Sequence, residues 1–177
     1  MAIYPLYTVG YTGITAEIFR NAMLNFFESQ GGNLIDTRYK AWSQNPDYRA
    51  SALRAALGAN YIAMGERFGN INYKSPELGI KLAQPDASIL IGLLREAPQI
   101  IMCGCKDHTT CHRTHVARLV EDAMPDKAWT IHLTITDVVR WPDRTKPALQ
   151  PVSVYPALAS ADQLPQEPAK PIQQTLF

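Results

Sequence analysis

The stretch QIIMCGCKDHTTCHRTHVARLV, residues 99–120, combines the features that decide the fold. An apolar run of β type comes first and breaks at Gly104, and a helical pattern with an apolar face follows (Val116, Leu119, Val120). All three cysteines of the chain lie where the strand gives way to the helix. A strand end, a thiol-rich loop and a helix start therefore meet, and open α/β sheets bind ligands at such places.

The start of this helix is predicted to hold reactive or anion-binding groups. Thr109 or Thr110 is a suitable N-cap, which puts Cys111, His112 and Arg113 in the first turn. The free N–H groups and the dipole of that turn would stabilise a thiolate on Cys111, with His112 as its catalytic neighbour. The same turn would bind phosphate through backbone N–H groups and Arg113. Because anion binding needs no nucleophile, this interpretation ranks first.

Short apolar runs alternate with amphipathic helical segments along the chain. This alternation predicts an α/β fold, with a mostly parallel sheet and helices on both faces in a Rossmann-like three-layer arrangement. Residues 65–83 show no clear pattern. The predicted strands are 6–9, 33–36, 61–64, a run from 99 and 129–135, and the predicted helices start after Thr15, at Pro46 (to residue 57), at Pro85-Asp86 and at the Thr109–Thr110 cap.

The composition changes at Pro142. Seven of the thirteen prolines lie between Pro142 and Pro171, and the apolar residues there lose their periodicity. Such a segment buries too little surface to offset its ordering entropy. We therefore predict an α/β domain over residues 1–141 and an extended Pro-rich C-terminal tail over residues 142–177.

The tail ends with QQTLF, residues 173–177. Gln173, Leu176 and Phe177 resemble the peptide by which bacterial repair and replication proteins bind the sliding clamp. Leu176 and Phe177 would fill an apolar pocket, and Gln173 would hydrogen-bond at its rim. The alternative is that both apolar residues pack back against the domain. The peptide predicts the clamp as a partner.

Composition and charge narrow the class of protein. The formal net charge of +1 at pH 7 gives no electrostatic reason to expect a general nucleic-acid or membrane-surface binder. The first residues lack the pattern of a signal peptide, and no apolar run reaches membrane-spanning length. Three clustered cysteines do not make a secreted disulfide framework, so we expect a cytoplasmic protein with reduced thiols.

Polar residues follow three of the predicted strands. Because the carboxyl ends of parallel strands open on one edge of the sheet, these residues are expected to line one cleft. Asp36 would act there as an acid, a base or a metal contact, and Arg38 would bind phosphate together with Arg113. The alternative is that Asp36 and Arg38 only pair with each other. The loop after the first strand adds the candidate anion-binding residues Gly10, Tyr11 and Thr12.

The cysteines also form a candidate metal site. Cys103, Cys105 and Cys111, with His108 or His112, offer enough ligands for tetrahedral zinc. The spacing, Cys-x-Cys followed by five residues and Cys-His, is not that of a standard zinc knuckle. A buried Cys103 that acts as a small apolar side chain is the simpler alternative.

At these residues the chain resembles the family called domain of unknown function 488. The resemblance runs from about Leu6 to Ile135 and implies an α/β fold with a parallel sheet. Many members have Cys-Ala-Glu where this chain has Cys103-Gly104-Cys105, so a catalytic glutamate is missing at that position. The matching segments are TVGY (8–11), LIDTR (34–38), Tyr61, Met102-Cys103 and Cys111-His112-Arg113.

These observations leave three hypotheses. The first is a protein with an anion- or phosphate-binding cleft that processes nucleic acids or nucleotides in DNA repair and is recruited to the sliding clamp. The second is a cysteine-dependent thiol or sulfur-transfer enzyme that uses Cys111 or Cys105. The third is a non-catalytic binding module with a structural zinc ion.

Overall fold

The computed structural model describes residues 3–124 and 128–140, and five strands in this part form one sheet. All strand pairs are parallel, which confirms the predicted parallel sheet. The strands are β1 (Leu6–Gly10), β2 (Asn33–Asp36), β3 (Tyr61–Ala63), β4 (Gln99–Cys103) and β5 (Thr130–Leu133). Their order is β3-β2-β4-β1-β5, so β4 lies at the centre with β1 beside it.

Helices cover both faces of the sheet, as the sequence predicts. They are α1 (Ala16–Gln30), α2 (Ala50–Leu57), α3 (Gly65–Phe68), α4 (Ala87–Leu94), α5 (His112–Ala123) and α6 (Ile135–Arg140). One apolar core joins the sheet to α1, α2 and α6, and a second joins its other face to α3, α4 and α5. The result is a three-layer α/β fold.

The central strands are buried along their whole length because helices cover both faces. Every residue of β1 and β4 is buried. Alternate side chains enter opposite cores: Tyr7 and Val9 pack beneath α1, whereas Leu6 packs beneath α4 and α5. The continuous apolar runs in the sequence therefore reflect a fully covered sheet.

Capping contacts confirm two predicted helix starts and show where the first helix ends. At the start of α1, the Thr15 side chain accepts a backbone N–H from the first turn. Gly31, with φ at 70°, ends the same helix. The Asp86 side chain accepts a backbone N–H at the start of α4. Short polar side chains and one glycine thus fix where these helices begin and end.

The predicted N-cap of α5 is wrong. Thr109 instead belongs to a turn in which its N–H and its hydroxyl both donate to the Asp107 carboxylate at 2.8 Å. Cys111 becomes the N-cap, and the helix begins at His112. Cys111 therefore ends the loop and does not enter the first helical turn, because the aspartate side chain captures the threonine donors.

Other boundaries shift locally. The predicted helix 46–57 divides into a 3₁₀ turn at Pro46–Tyr48 and α2, β3 ends at Ala63, and the predicted strand 129–135 stops at Leu133 because α6 begins at Ile135. The unassigned segment 65–83 contains α3. No helix of the described part has the length and apolar character needed to cross a membrane. Residues 141–177 lie outside the described residues, so the tail and its terminal peptide stay predictions.

The topology creates a crevice at the carboxyl ends of β1 and β4. The chain leaves β1 for α1 on one face and leaves β4 for α5 on the other, although these strands are neighbours. Their following loops diverge, and open α/β sheets bind ligands in such crevices. The cysteine-rich loop lies at this point.

Candidate functional site

The loops after β1, β2 and β4 meet at one edge of the sheet, as predicted. The Thr12 hydroxyl donates to a carbonyl of the loop after β4. Arg38 Nη1 donates to the Tyr11 hydroxyl at 3.2 Å, which joins the loops after β2 and β1. His112 Nε2 lies 2.9 Å from the Thr37 carbonyl oxygen, which joins the loop after β2 to α5. Residues distant in sequence thus form one continuous polar site.

Gly10 lets the end of β1 pack directly against the cysteine loop. A Cβ atom here would lie 1.7 Å from the Cys105 carbonyl oxygen and 2.4 Å from Arg113 Nη1. Both distances are far below van der Waals contact, so only glycine fits. The next residue, Tyr11, donates its N–H to the Cys103 carbonyl at 3.2 Å. This glycine therefore holds two loops of the site together.

Asp36 is fully buried at the end of β2, and each of its oxygens accepts two hydrogen bonds. Arg38 Nε donates to Oδ1 at 2.8 Å, and Arg38 Nη2 donates to Oδ2 at 2.5 Å. The Arg38 N–H adds a bond to Oδ1 at 3.1 Å, and the Tyr61 hydroxyl adds one to Oδ2 at 2.6 Å. We call these residues the Asp36–Arg38–Tyr61 network.

The rest of the Arg38 guanidinium group is also held by the protein. Nη1 donates to the Tyr11 hydroxyl and to the Trp42 carbonyl, and the guanidinium carbon lies 5.3 Å from the centre of the Tyr11 ring. Burial lowers the pKa of Arg38, but hydrogen bonding and the charge of Asp36 outweigh burial and raise it overall. Arg38 therefore stays charged. The roles of Arg38 as phosphate ligand and of Asp36 as acid, base or metal contact stay predictions.

The second group is the thiol cluster, which we define as Cys103, Cys105 and Cys111. All three cysteines are free; Cys103 and Cys111 are buried, and Cys105 is exposed. Cys103 Sγ lies 2.8 Å from Cys111 Sγ and accepts the Cys105 N–H at 3.2 Å. Two buried thiols thus lie in contact, and an exposed cysteine adjoins them through its backbone N–H.

Arg113 lies beneath the thiol cluster and is only 1% exposed. Nη1 donates to the Cys105 carbonyl at 2.6 Å and to Cys103 Sγ at 3.2 Å, and Nη2 donates to the Lys106 carbonyl at 3.2 Å. A buried guanidinium group needs a negative counterpart, and the sulfurs are the ionisable acceptors that it touches. Arg113, predicted as an anion ligand, therefore fixes the loop and brings positive charge to the thiols.

Hydrogen bonds within the thiol cluster make the acidities of its three thiols unequal. Hydrogen bonds from Cys103 and Cys111 lower the pKa of Cys105 to about 2, and the charge of Arg113 contributes to this shift. The hydrogen bond with Cys105 raises the pKa of Cys103 to about 11, and contacts with both other cysteines raise the pKa of Cys111. The N–H of Cys105 and Nη1 of Arg113 both donate to Cys103 Sγ, although the thiol whose pKa is lowered is that of Cys105. Because the three thiols interact so closely, the charge belongs to the cluster.

His112 presents one ring nitrogen to the thiol cluster. Because the Thr37 carbonyl can only accept a hydrogen bond, the adjacent Nε2 of His112 carries the proton. Burial lowers the pKa of His112, so the ring is neutral and Nδ1 has a free lone pair. Nδ1 lies 3.8 Å from Cys111 Sγ. Cys103, Cys111 and His112 together offer three ligand atoms within 4.8 Å of one another.

The structure distinguishes between His108 and His112, the two histidines that the sequence offers as alternative metal ligands. His108 stacks on His132 of β5, with ring centres 3.9 Å apart. His132 in turn places Nδ1 2.7 Å from Thr8 Oγ1. Among the described residues, the group with metal-ligand geometry contains His112 and not His108.

Sequence reasoning missed the partners that orient the site. Thr37 positions His112, and the Tyr61 hydroxyl completes the shell of Asp36. The sequence carries one usable signal for the second pair: Tyr61 opens a buried strand, and a buried phenol needs a hydrogen-bond partner. Nothing in the sequence points from Thr37 to His112.

A cavity of about 580 Å³ opens at the ends of β2 and β3. Ile62, Met64 and Ile89 contribute apolar surface, and the guanidinium-bearing residues Arg38 and Arg67 also line it. Glu66 lines the cavity as well, so apolar walls are combined with charges of both signs beside the Asp36–Arg38–Tyr61 network.

No protein-family model, curated protein or solved structure matches the chain. The site therefore has to be interpreted from its own geometry.

Proposed function

We propose that this protein is a cysteine-dependent enzyme of thiol exchange or sulfur transfer, with Cys105 as the nucleophile. The observation that carries the proposal is an exposed cysteine, Cys105, whose backbone N–H donates to the first of two adjoining buried thiols, which lie beside a buried arginine. An accessible thiolate attacks a substrate sulfur, and a neighbouring thiol resolves the intermediate. The proposed activity suits the cytoplasm, because cysteine thiols stay reduced there.

The reaction is written here for a substrate disulfide, RS–SR′. The Cys105 thiolate attacks one sulfur, so that Cys105–SR forms and R′S⁻ leaves. Cys111 or Cys103 then attacks the Cys105 sulfur, which forms a protein disulfide and releases RS⁻. The substrate gains two electrons and the protein dithiol loses two. An external dithiol returns the protein to its reduced form.

The neighbouring side chains have roles that follow from their geometry. His112 Nδ1, 3.8 Å from Cys111 Sγ, accepts the proton of Cys111 as this thiol attacks. Arg113 stabilises the thiolate through its charge. The Asp36–Arg38–Tyr61 network keeps the neighbouring loop in place.

An aromatic disulfide that releases a coloured thiolate tests the proposal. The metal-free wild-type protein is expected to release two aromatic thiolates per chain, one on attack and one on resolution. Cys105→Ser is expected to lose the rapid release of aromatic thiolate that follows attack by Cys105. Cys111→Ser with Cys103→Ser keeps the first release and retains the mixed disulfide, which intact-mass measurement detects. Equal release by Cys105→Ser and wild type would exclude Cys105 as the nucleophile.

The cavity favours a second candidate, an anionic nucleotide or nucleic-acid ligand in a DNA-repair protein. Arg67 lines this cavity beside apolar side chains that suit a base. Calorimetric titration with nucleoside phosphates and short oligonucleotides tests this candidate. Arg67→Gln is expected to weaken binding, and the absence of binding to wild type would remove the candidate.

We also propose recruitment to the sliding clamp through Gln173, Leu176 and Phe177, which lie outside the described residues. The full chain is expected to capture the clamp, and a chain without Leu176 and Phe177 is not. Equal capture by both chains would end this proposal.

A further inference from the structure

We propose that the thiol cluster and His112 form a binding site for one divalent metal ion that prefers thiolate ligands, such as zinc. The structure brings three ligand atoms together, Cys103 Sγ, Cys111 Sγ and His112 Nδ1. Cys105 lies outside this set, and its thiol moves toward the ion to become the fourth ligand. Metal binding stands on this ligand geometry and does not require that the protein catalyses thiol exchange.

Three of the ligand atoms lie within 4.8 Å of one another, and one of their separations already matches a tetrahedral zinc site. Zinc–sulfur bonds of about 2.3 Å hold two sulfurs about 3.8 Å apart, and sulfur and imidazole nitrogen slightly closer. His112 Nδ1 lies 3.8 Å from Cys111 Sγ. Cys103 Sγ and Cys111 Sγ are 2.8 Å apart, so they must separate by about 1 Å as the ion enters between them.

The surroundings of the ligands match those of metal centres. A metal-bound histidine usually donates its other ring N–H to a carbonyl or carboxylate, which fixes the tautomer. His112 donates Nε2–H to the Thr37 carbonyl at 2.9 Å, which directs the lone pair of Nδ1 toward the sulfurs. Cys103 Sγ accepts the Cys105 N–H, as a thiolate ligand does.

The charge of the centre is balanced within the protein. A divalent ion with three thiolates and one neutral imidazole carries a net charge of −1. Arg113, with Nη1 3.2 Å from Cys103 Sγ, supplies the opposite charge from a buried position. This explains why a fully buried arginine stands among three cysteines.

The fourth ligand links the metal to reactivity. Cys105 is exposed on the loop and lies outside the set of three close ligand atoms, so it can leave the ion without moving the other ligands. If the proposed thiol exchange also holds, the bound ion withdraws the nucleophile, and release of the ion activates the enzyme.

Cobalt(II) added to the metal-free protein tests the site. We expect one equivalent to bind, with the visible ligand-field bands of tetrahedral cobalt and a near-ultraviolet charge-transfer band from thiolate. His112→Gln removes the Nδ1 ligand but keeps an N–H near the Thr37 carbonyl. It should weaken zinc binding by about tenfold or more, measured by competition with a chromophoric chelator. The matched control is His115→Gln, an exposed position on the same helix, which should not change binding.

Each outcome supports or overturns the site. If the wild-type protein binds no cobalt, or if His112→Gln and His115→Gln bind zinc equally, the proposed site is refuted. If His112→Gln does not fold, Cys105→Ser provides the test because Cys105 is exposed. It should keep cobalt bound with a weaker charge-transfer band, and an unchanged band would exclude Cys105 as a ligand. The aromatic-disulfide assay on metal-free protein reports the thiol chemistry separately, so either proposal can fail alone.

Discussion

Replacement of Asp36 by asparagine tests the claim that the Asp36–Arg38–Tyr61 network holds the site together. The change keeps the size of the side chain and removes its charge. Each carboxylate oxygen accepts two hydrogen bonds, from Arg38 alone at Oδ1 and from Arg38 and Tyr61 at Oδ2. Whichever way the amide turns, two buried donors will face its NH₂ group.

The expected loss of stability follows from these contacts. A hydrogen bond to a charged group contributes about 1.5–3 kcal/mol, so two lost bonds remove about 3–6 kcal/mol. Removal of one partner of a buried ion pair typically costs about 3–5 kcal/mol, because the other charge is left uncompensated, and we take this narrower range. At about 3 °C per kcal/mol for a domain of this size, the melting temperature should fall by about 10–15 °C.

Urea unfolding followed by circular dichroism measures the loss. Asp47→Asn is the matched control, because Asp47 forms an exposed ion pair with Arg20 at 3.9 Å and should change stability by less than about 1 kcal/mol. The double variant Asp36→Leu with Arg38→Met should be more stable than Asp36→Asn, since no buried charge remains. Equal stability of Asp36→Asn and Asp47→Asn would refute the reasoning.

Three further predictions follow from single features of the site and the sheet. Alkylation of Cys105 in the metal-free protein should be nearly independent of pH between 8 and 5, since its pKa lies below this range, whereas a free cysteine slows about tenfold per unit below about 8.5. Mass spectrometry of the alkylated chain measures the rate, and a tenfold slowing per unit would contradict the thiolate. Gly10→Ala should destabilise the fold strongly through its clash with the Cys105 carbonyl, whereas Gly92→Ala, in open space on α4, should not, and melting temperatures compare them. Burial lowers the pKa of His132 to about 4, below that of an unfolded histidine near 6.5, so the unfolded chain takes up the proton first and stability falls from pH 6.5 toward 4. In His132→Gln, the urea concentration at the unfolding midpoint should depend less on pH between 6.5 and 4. If its pH dependence is the same as in the wild type, groups other than His132 cause the loss of stability.

The fold could be predicted because its signals are local. Capping residues such as Thr15 and Asp86 act on the N–H groups of the next turn, and the apolar runs of β1 and β4 record burial on both faces. The prediction failed where two local signals compete, as at Thr109, whose donors Asp107 takes. Which of two competing hydrogen bonds forms depends on the geometry of the turn, and this geometry cannot be read from the sequence.

The sequence by itself determined the parallel α/β sheet, the common edge for its loops, and the thiols and imidazoles on that edge. Only the tertiary structure decided which groups meet: Tyr61 with Asp36, Thr37 with His112, and Arg113 with Cys103. The physical reason is distance along the chain. Periodicity and capping act within a few residues, whereas these contacts join segments that come together only after the strands have paired and the helices have packed.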